Sequence, residues 1–252
     1  MWQITSFFST ALLSADLFII LLSLILEVMD RSLNYCYAYP RPAVTTDCVV
    51  FAWLDDMLQV LLIERAADPF KGSWAFPGGF LDMDECALAG AQRELHEETG
   101  LQGIHLEQLH TFSSVARDPR GRTISVVFWG AVNQAHHQVV AGDDARRASW
   151  FPVSAVPPLA FDHSEIFQLA LRHLRFQMRI RPIFHPWLPE VFTVEDILSI
   201  YRSVMAVRYD PHWFEQQLLD SSLLIPMDDG GYRFNYAEYA SQPNRDYWFF
   251  IQ

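Results

Sequence analysis

Lysine is almost absent from this chain: Lys71 stands alone beside seventeen arginines, and thirty acidic residues bring the net charge to −12. That balance excludes bulk attraction for polyanions, so a phosphate ligand has to be met by local arginines or by a metal. Arginine suits a bidentate grip on phosphate, although genome composition produces the same bias. Cysteine is scarce too. Cys36, Cys48 and Cys86 are odd in number and show no zinc-ligand spacing. This excludes a disulfide scaffold and fits a reducing compartment. Cys48 and Cys86 read as small buried hydrophobes. There is no internal repeat and no low-complexity tract. Apolar residues make up 51% of the 252 and aromatics 14%, enough for a real core, which excludes disorder.

One long hydrophobic run is present, at residues 7–28 (FFSTALLSADLFIILLSLILEV). Its length suits a membrane helix. Asp16 near its centre opposes insertion by about 2.5–3.5 kcal/mol, and no basic cluster sets an orientation. A secretory signal is excluded by the missing basic start and cleavage site. Three readings stay open: a membrane anchor, a packed helix, or translation from Met29 with residues 1–28 an artefact of start assignment. The expected location is cytoplasmic, or membrane-anchored if the run inserts.

Beyond Pro40-Arg41-Pro42, residues 47–54 and 58–65 read as strands joined at Asp55-Asp56, a hairpin. A loop ends in Pro77-Gly78-Gly79. A helix is expected from about Asp84 to Thr99, with Gly100 as its C-cap. Strands are expected at 104–113, 123–133 and 148–152, and a helix capped by Asp162-His163-Ser164 runs to about Phe176. Pro182, Pro186 and Pro189 mark a linker. After it come a helix at 192–205 with Thr193 as N-cap, a second opened by Asp210 and Pro211, and a hairpin at 223–235 turning at Asp229-Gly230-Gly231. Helix, helix, hairpin is a winged-helix order.

The decisive stretch is GFLDMDECALAGAQRELHEETGL, residues 79–101. Glu94, Glu97 and Glu98 are spaced i, i+3, i+4 and project from one helix face. Like charges there repel, and the last turn is the negative end of the helix dipole. No basic residue follows within a turn, and Arg93 is set about 100° round the helix from Glu94. A solvated acidic face ordinarily interleaves both signs. A hard divalent cation with oxygen ligands removes the conflict.

The same stretch resembles the Nudix signature G-x5-E-x7-R-E-U-x-E-E-x-G-U, U being bulky and apolar. It does so through Gly79, Glu85, Arg93, Glu94, Leu95, Glu97, Glu98, Gly100 and Leu101. Seven fixed identities coincide by chance roughly once in 10⁸ starting points. The resemblance covers about residues 37–178. It implies an α/β fold, a Nudix α/β/α sandwich with a mixed sheet, and here a small winged-helix domain at 190–252. It further implies a pyrophosphohydrolase using Mg²⁺, or Mn²⁺. The metal ligands would be Glu94, Glu97, Glu98 and the carbonyl of Gly79 or Gly78. Glu97 or Glu98 would help activate the attacking water, with Arg93 and Glu85 orienting the ligands. A base from outside the signature is common in the family. Asp144, or its neighbour Asp143, is the nominee, the alternative for AGDDA being a plain turn.

Residues 116–130 (ARDPRGRTISVVFWG) resemble the matching stretch of ADP-ribose-cleaving Nudix proteins and of the related NAD-metabolism regulators. Arg117, Arg120 and Arg122, with Arg65, are therefore the candidate substrate-binding residues. The expected substrate is a nucleoside diphosphate linked to another moiety, ADP-ribose first, split to AMP and ribose 5-phosphate. The rival reading is a transcriptional regulator with a Nudix sensor and a DNA-binding winged helix. Charge opposes it: residues 185–252 hold ten acids against four arginines, and the helix DPHWFEQQLLDSS has no basic residue, a poor surface for phosphates. A homodimer is implied by the family alone.

Overall fold

The computed structural model describes residues 37–132, 145–228 and 230–241. The hydrophobic run at 7–28, Cys36 and the nominated bases Asp143 and Asp144 lie outside the described residues. Among the described residues, no helix is long and apolar enough to cross a membrane. Contacts divide the chain into residues 1–41 and Pro42–Gln252, and every strand and helix named below belongs to the second unit.

The chain order is β1 (Ala43–Leu54), β2 (Met57–Arg65), β3 (Trp74–Ala75), β4 (Gly78–Phe80), α1 (Ala87–Thr99), β5 (Glu107–Phe112), β6 (Thr123–Val132), β7 (Ala145–Pro152) and α2 (His163–Ile180). A 3₁₀ turn at His185–Trp187 leads to α3 (Val194–Met205), α4 (Pro211–Asp220), β8 (Leu224–Pro226), β9 (Tyr232–Phe234) and α5 (Tyr236–Ser241).

The β1–β2 hairpin turns at Asp55 and Asp56, with φ of 49° and 57°. Positive φ at both central residues is what a tight hairpin needs, and aspartate tolerates it. β1 is the centre of the sheet. It runs parallel to β6 and antiparallel to β2 through its C-terminal half and to β4 through Thr45–Asp47. β5 flanks β6, and β7 and β3 flank β2. The mixed sheet is thus as expected. A central strand is covered on both faces, so β1 reads as an unbroken apolar run rather than an alternation. Cys48, Val50 and Ala52 pack under Ala91 and Leu95 of α1. Val49 and Phe51 pack on the other face with Ile166, Ala170 and Leu174 of α2.

That second core continues through Phe184, Trp187 and Leu188 into Ile197, Tyr201, Phe214, Leu218 and Phe234. The proline segment is consequently packed rather than an open linker. Tyr201 donates its hydroxyl to the Met178 carbonyl at 2.7 Å, and Arg175 Nε donates to the Val204 carbonyl at 2.8 Å. Thr193 and Asp196 form a reciprocal capping box at the start of α3, and the Asp210 carboxylate caps α4. The order helix, helix, hairpin is present, β8 and β9 pairing from Leu224↔Phe234 to Pro226↔Tyr232.

Four local expectations fail. α1 begins at Ala87, not near Asp84, because Glu85 turns back: it accepts the Asp82 amide at 2.9 Å and both edges of Arg93. Cys86 is exposed at the N-cap rather than buried, whereas Cys48 is buried as expected. Asp162 precedes α2 but makes no side-chain cap, since its carboxylate is taken by Arg117. With Met178 and Ile180 buried on the same apolar face, α2 runs on to Ile180.

Candidate active site

Gly100, in the left-handed conformation (φ 74°), ends α1 by donating its amide to the His96 carbonyl. This leaves Glu94, Glu97 and Glu98 in the last turns. Their surroundings differ. Glu98 is buried, and its Oε2 accepts the Gly78 amide at 2.8 Å. Glu94 is half-buried, and desolvation pushes its carboxyl above the usual range, against the pull of Arg93. Glu97 is largely exposed.

Arg93 does not point away from these acids, as its helical position suggests it should. Its guanidinium folds back, Nη1 donating to Glu94 Oε1 at 2.8 Å and Glu97 Oε2 at 3.1 Å. Nε and Nη2 clasp Glu85 at 3.1 and 2.6 Å, and Nη2 also reaches the Phe80 carbonyl. Two of the three glutamates therefore share one cationic nitrogen. Arg93 itself offsets part of the crowding that a metal was expected to relieve. Among the described residues, no group of three His, Cys, Asp or Glu side chains converges as a ligand set.

Strand β4, Gly78–Gly79–Phe80, links these acids to a cleft. Gly79 lies so close to Glu94 that a Cβ there would collide with the carboxylate, and one on Gly78 would collide with the Thr46 carbonyl. These glycines let β4 lie between β1 and the glutamate helix. Arg65, Arg117 and Arg120 line the cleft together with Asp47, Asp118, Phe80, Phe161 and His163. Arg122 does not line it: its Nη1 donates to the carbonyls of Ser113 and Ser114 and closes the β5–β6 loop.

The three lining arginines have unlike environments. Arg117 is buried and held by Asp162 through two hydrogen bonds of 2.9 and 2.8 Å. Arg120 is half-exposed; it is clasped by Asp118, whose carboxyl it holds below the usual range, and lies 5.0 Å from the Phe80 ring and 5.6 Å from Phe161. Arg65 sits 4.8 Å from the same Phe161 ring, its pKa lowered by burial and then by Arg120. Arg65 and Arg120 share one ring, but Arg120 is already paired with Asp118, whereas Arg65 donates to the neutral carbonyls of Pro69 and Ala67 and so carries the less compensated charge toward an anion.

Sequence reasoning missed the polar floor. Asp47 is buried between the Ser125 hydroxyl, which donates to it, Arg117 Nη2 at 3.9 Å and His163 Nε2 at 3.5 Å. A carboxylate at the head of an apolar strand was the available signal. His163 had none. Its Nδ1 accepts the Phe76 amide at 3.0 Å, so in the neutral ring Nε2 carries the proton and faces Asp47. This bond anchors the chain just ahead of Pro77-Gly78-Gly79, tying α2 to the loop that receives Glu98 and Glu94.

Burial pushes the His163 pKa below its ordinary value, and His173 and His185 shift the same way. The unfolded chain, titrating near 6.5, then binds more protons than the native state in mildly acidic solution. Stability is expected to fall as pH drops from about 7 to 5. His163→Gln should flatten that slope, measured by urea midpoints across the range. An unchanged slope would show that His163 does not contribute.

A NUDIX domain model matches residues 44–170. The chain is 30% identical over 195 residues to an ADPR responsive transcriptional repressor NtrR from Acinetobacter baylyi, covering 75% of this chain and 77% of that one. It is 38% identical over 145 residues to an ADP-ribose pyrophosphatase from Methanocaldococcus jannaschii, covering 58% of this chain and 82% of that one. In structure it is similar to Shewanella oneidensis NrtR complexed with a 27mer DNA, with a TM-score of 0.66, 27% identity and coverage of 77% and 94%. Signature helix, mixed sheet and matched domain agree: the chain belongs to the Nudix family.

Proposed function

We propose that this protein hydrolyses a nucleoside diphosphate linked to a second group, with ADP-ribose, split to AMP and ribose 5-phosphate, as the first candidate. The observation that carries this reading is the placement of Arg65 and Arg120 over Phe161, in a cleft whose wall, Gly78–Gly79, directly contacts the glutamate helix. Guanidinium groups on aromatic faces suit a diphosphate flanked by rings. The cavity, about 100 Å³, has room for the phosphate portion rather than the whole molecule. The similarity to an ADP-ribose pyrophosphatase supports the same substrate class.

A magnesium or manganese ion is the proposed cofactor, because carboxylate and carbonyl oxygens are the donors such hard cations take. Glu94 and Glu97 already meet at one cationic nitrogen, and Gly79, lacking a Cβ, lets the β4 backbone come into direct contact with the Glu94 carboxylate. Glu94, Glu97, Glu98 and the Gly79 carbonyl would hold the ion, which when bound supplies charge neutralisation on the phosphoryl oxygens and a more acidic water. Arg93, keyed by Glu85, orients Glu94 and Glu97. Glu97, the exposed member, or Glu98 takes the proton of the attacking water, with Asp144 or Asp143 nominated as a further base. We assign residues 37–178 to the hydrolase domain and 190–252 to a winged helix. A homodimer in the cytoplasm completes the proposal.

A second reading is favoured by the similarity to NtrR and to DNA-bound NrtR and by the helix–helix–hairpin order: a ligand-responsive regulator. His212 on α4 is exposed, but Gln216 is tied to Asp220 at 2.9 Å, and no basic residue on α4 grips phosphates. Purified protein with Mg²⁺ and ADP-ribose is expected to release AMP, and EDTA to stop it. No turnover on a panel of nucleoside diphosphate derivatives, together with a salt-sensitive gel shift on the protein's own upstream DNA, would replace the enzyme by the regulator.

A further inference from the structure

The arginine cleft holds about 100 Å³, room for a diphosphate but not for the group attached to it. An attached ring therefore has to rest at the rim, and a rim residue decides which ring is accepted. Three phenylalanines line the cleft: Phe76, Phe80 and Phe161. Phe76 is buried. Phe161 is committed to its neighbours, with Phe70 4.7 Å from its ring, Arg65 4.8 Å, Arg120 5.6 Å and His163 5.6 Å. Phe80 differs: it is 47% exposed, and Arg120 lies 5.0 Å from its ring. A lone exposed phenylalanine is ordinary on a protein surface. What sets this one apart is its place, on the wall of a cationic cleft and directly after the glycine that meets Glu94. Phe70, similarly exposed, does not line the cleft.

The backbone of Phe80 is held from two sides. It stands opposite Thr45 in the β1–β4 ladder, and the next amide, of Leu81, donates to the Val44 carbonyl at 3.0 Å. Its own carbonyl accepts Arg93 Nη2 at 3.1 Å, and the same guanidinium binds Glu94 and Glu97. A phenylalanine ring has two side-chain torsions, so on a pinned strand little entropy is lost when a ligand immobilises it. The ring is a preformed ledge, tied to the glutamates through one arginine.

We propose that Phe80 is a specificity-determining residue, the ledge on which the aromatic base of a nucleotide stacks while its diphosphate enters the arginine cleft. The inference rests on the reading of that cleft as the diphosphate site. Every nucleobase has a flat π face, so the ledge takes adenine without hydrogen-bond readout. A diphosphate that carries only sugars presents no such face and is expected to bind poorly.

The probe is α,β-methylene ADP-ribose, whose bridged diphosphate resists hydrolysis, titrated with Mg²⁺ into the full chain by isothermal calorimetry. Phe80→Ala is expected to weaken its Kd about 5- to 100-fold, the range for removing one base–aromatic stack. Phe80→Trp, which enlarges the ring, should bind at least as tightly as the parent. Phe80→Leu replaces the alanine variant if that one does not fold, and should also weaken binding. Intermolecular NOEs from the adenine ring protons to the Phe80 ring, assigned with Phe80→Leu, read the stack itself, a signal that mere support of Arg120 would not give. The inference alone is overturned if the parent binds the analogue while Phe80→Ala stays within about 2-fold of it, if Phe80→Trp binds as weakly as the alanine variant, or if no NOE reaches Phe80. If the parent binds neither this analogue nor α,β-methylene ADP, the proposed function falls with it.

Discussion

Replacing Glu97 with glutamine is expected to lower kcat for ADP-ribose hydrolysis by about 10²–10⁴-fold, the range for losing a positioned acid–base group, while leaving the protein folded. Glu97 is the right residue to test because its side chain is 55% exposed and its hydrogen bond runs to Arg93 Nη1. Glutamine keeps the shape and retains an oxygen to accept that bond, and Arg93 keeps Glu85 and Glu94. The fold therefore loses little, while the cluster loses one negative charge. Glu98 is a less clean choice, since it is buried and receives the Gly78 amide. Steady-state kinetics with Mg²⁺, beside a urea titration, make the comparison. Activity within a few-fold of the parent would remove Glu97 from the reaction.

The largest expected effect on stability comes from Asp162→Ala, at about 3–5 kcal/mol, the usual consequence of stranding one member of a buried ion pair. Arg117 has a side chain only 4% exposed, and its two bonds to Asp162 are its shortest, Asp47 being 3.9 Å away. Truncating Asp162 leaves a buried guanidinium with no carboxylate in hydrogen-bonding contact, only the more distant charges of Asp47 and Asp118. The double variant Arg117→Leu with Asp162→Leu should recover much of the loss, because an apolar pair needs no solvation. Urea unfolding of the two single variants and the double variant measures the coupling. A loss below about 1 kcal/mol in Asp162→Ala would mean that water reaches Arg117 and that the pair is not buried in solution.

Local features were legible in the sequence wherever neighbouring residues decide them. The Asp55-Asp56 turn, the Gly100 cap, the Thr193 and Asp210 caps and the paired strands around Gly230 all depend on residues within a few positions of each other. The glutamate helix was legible for the same reason, as three acids at helical spacing. What sequence reasoning could not supply was competition across the fold. Asp162 is a fine N-cap until Arg117, 45 residues away, claims its carboxylate. Arg93 sits badly on a helical wheel relative to Glu94, yet its long side chain bends back to it. Asp47, Ser125 and His163 come together from three separate elements, 78 residues between the first two alone. No periodicity announces such a meeting. Arg122 erred the other way, sharing a segment with two cleft arginines but turned into the loop beneath it.

The core that runs from α2 through Phe184 and Trp187 into Tyr201 and Phe214 has an evolutionary consequence. The C-terminal helices and hairpin are not cargo that a lineage can discard or exchange at will. Shearing them off would bare a greasy wall along Leu174 and Met178, inviting clumping and proteolysis of the catalytic half. Their apolar underside, continuous with the core beneath the sheet, is what holds them there.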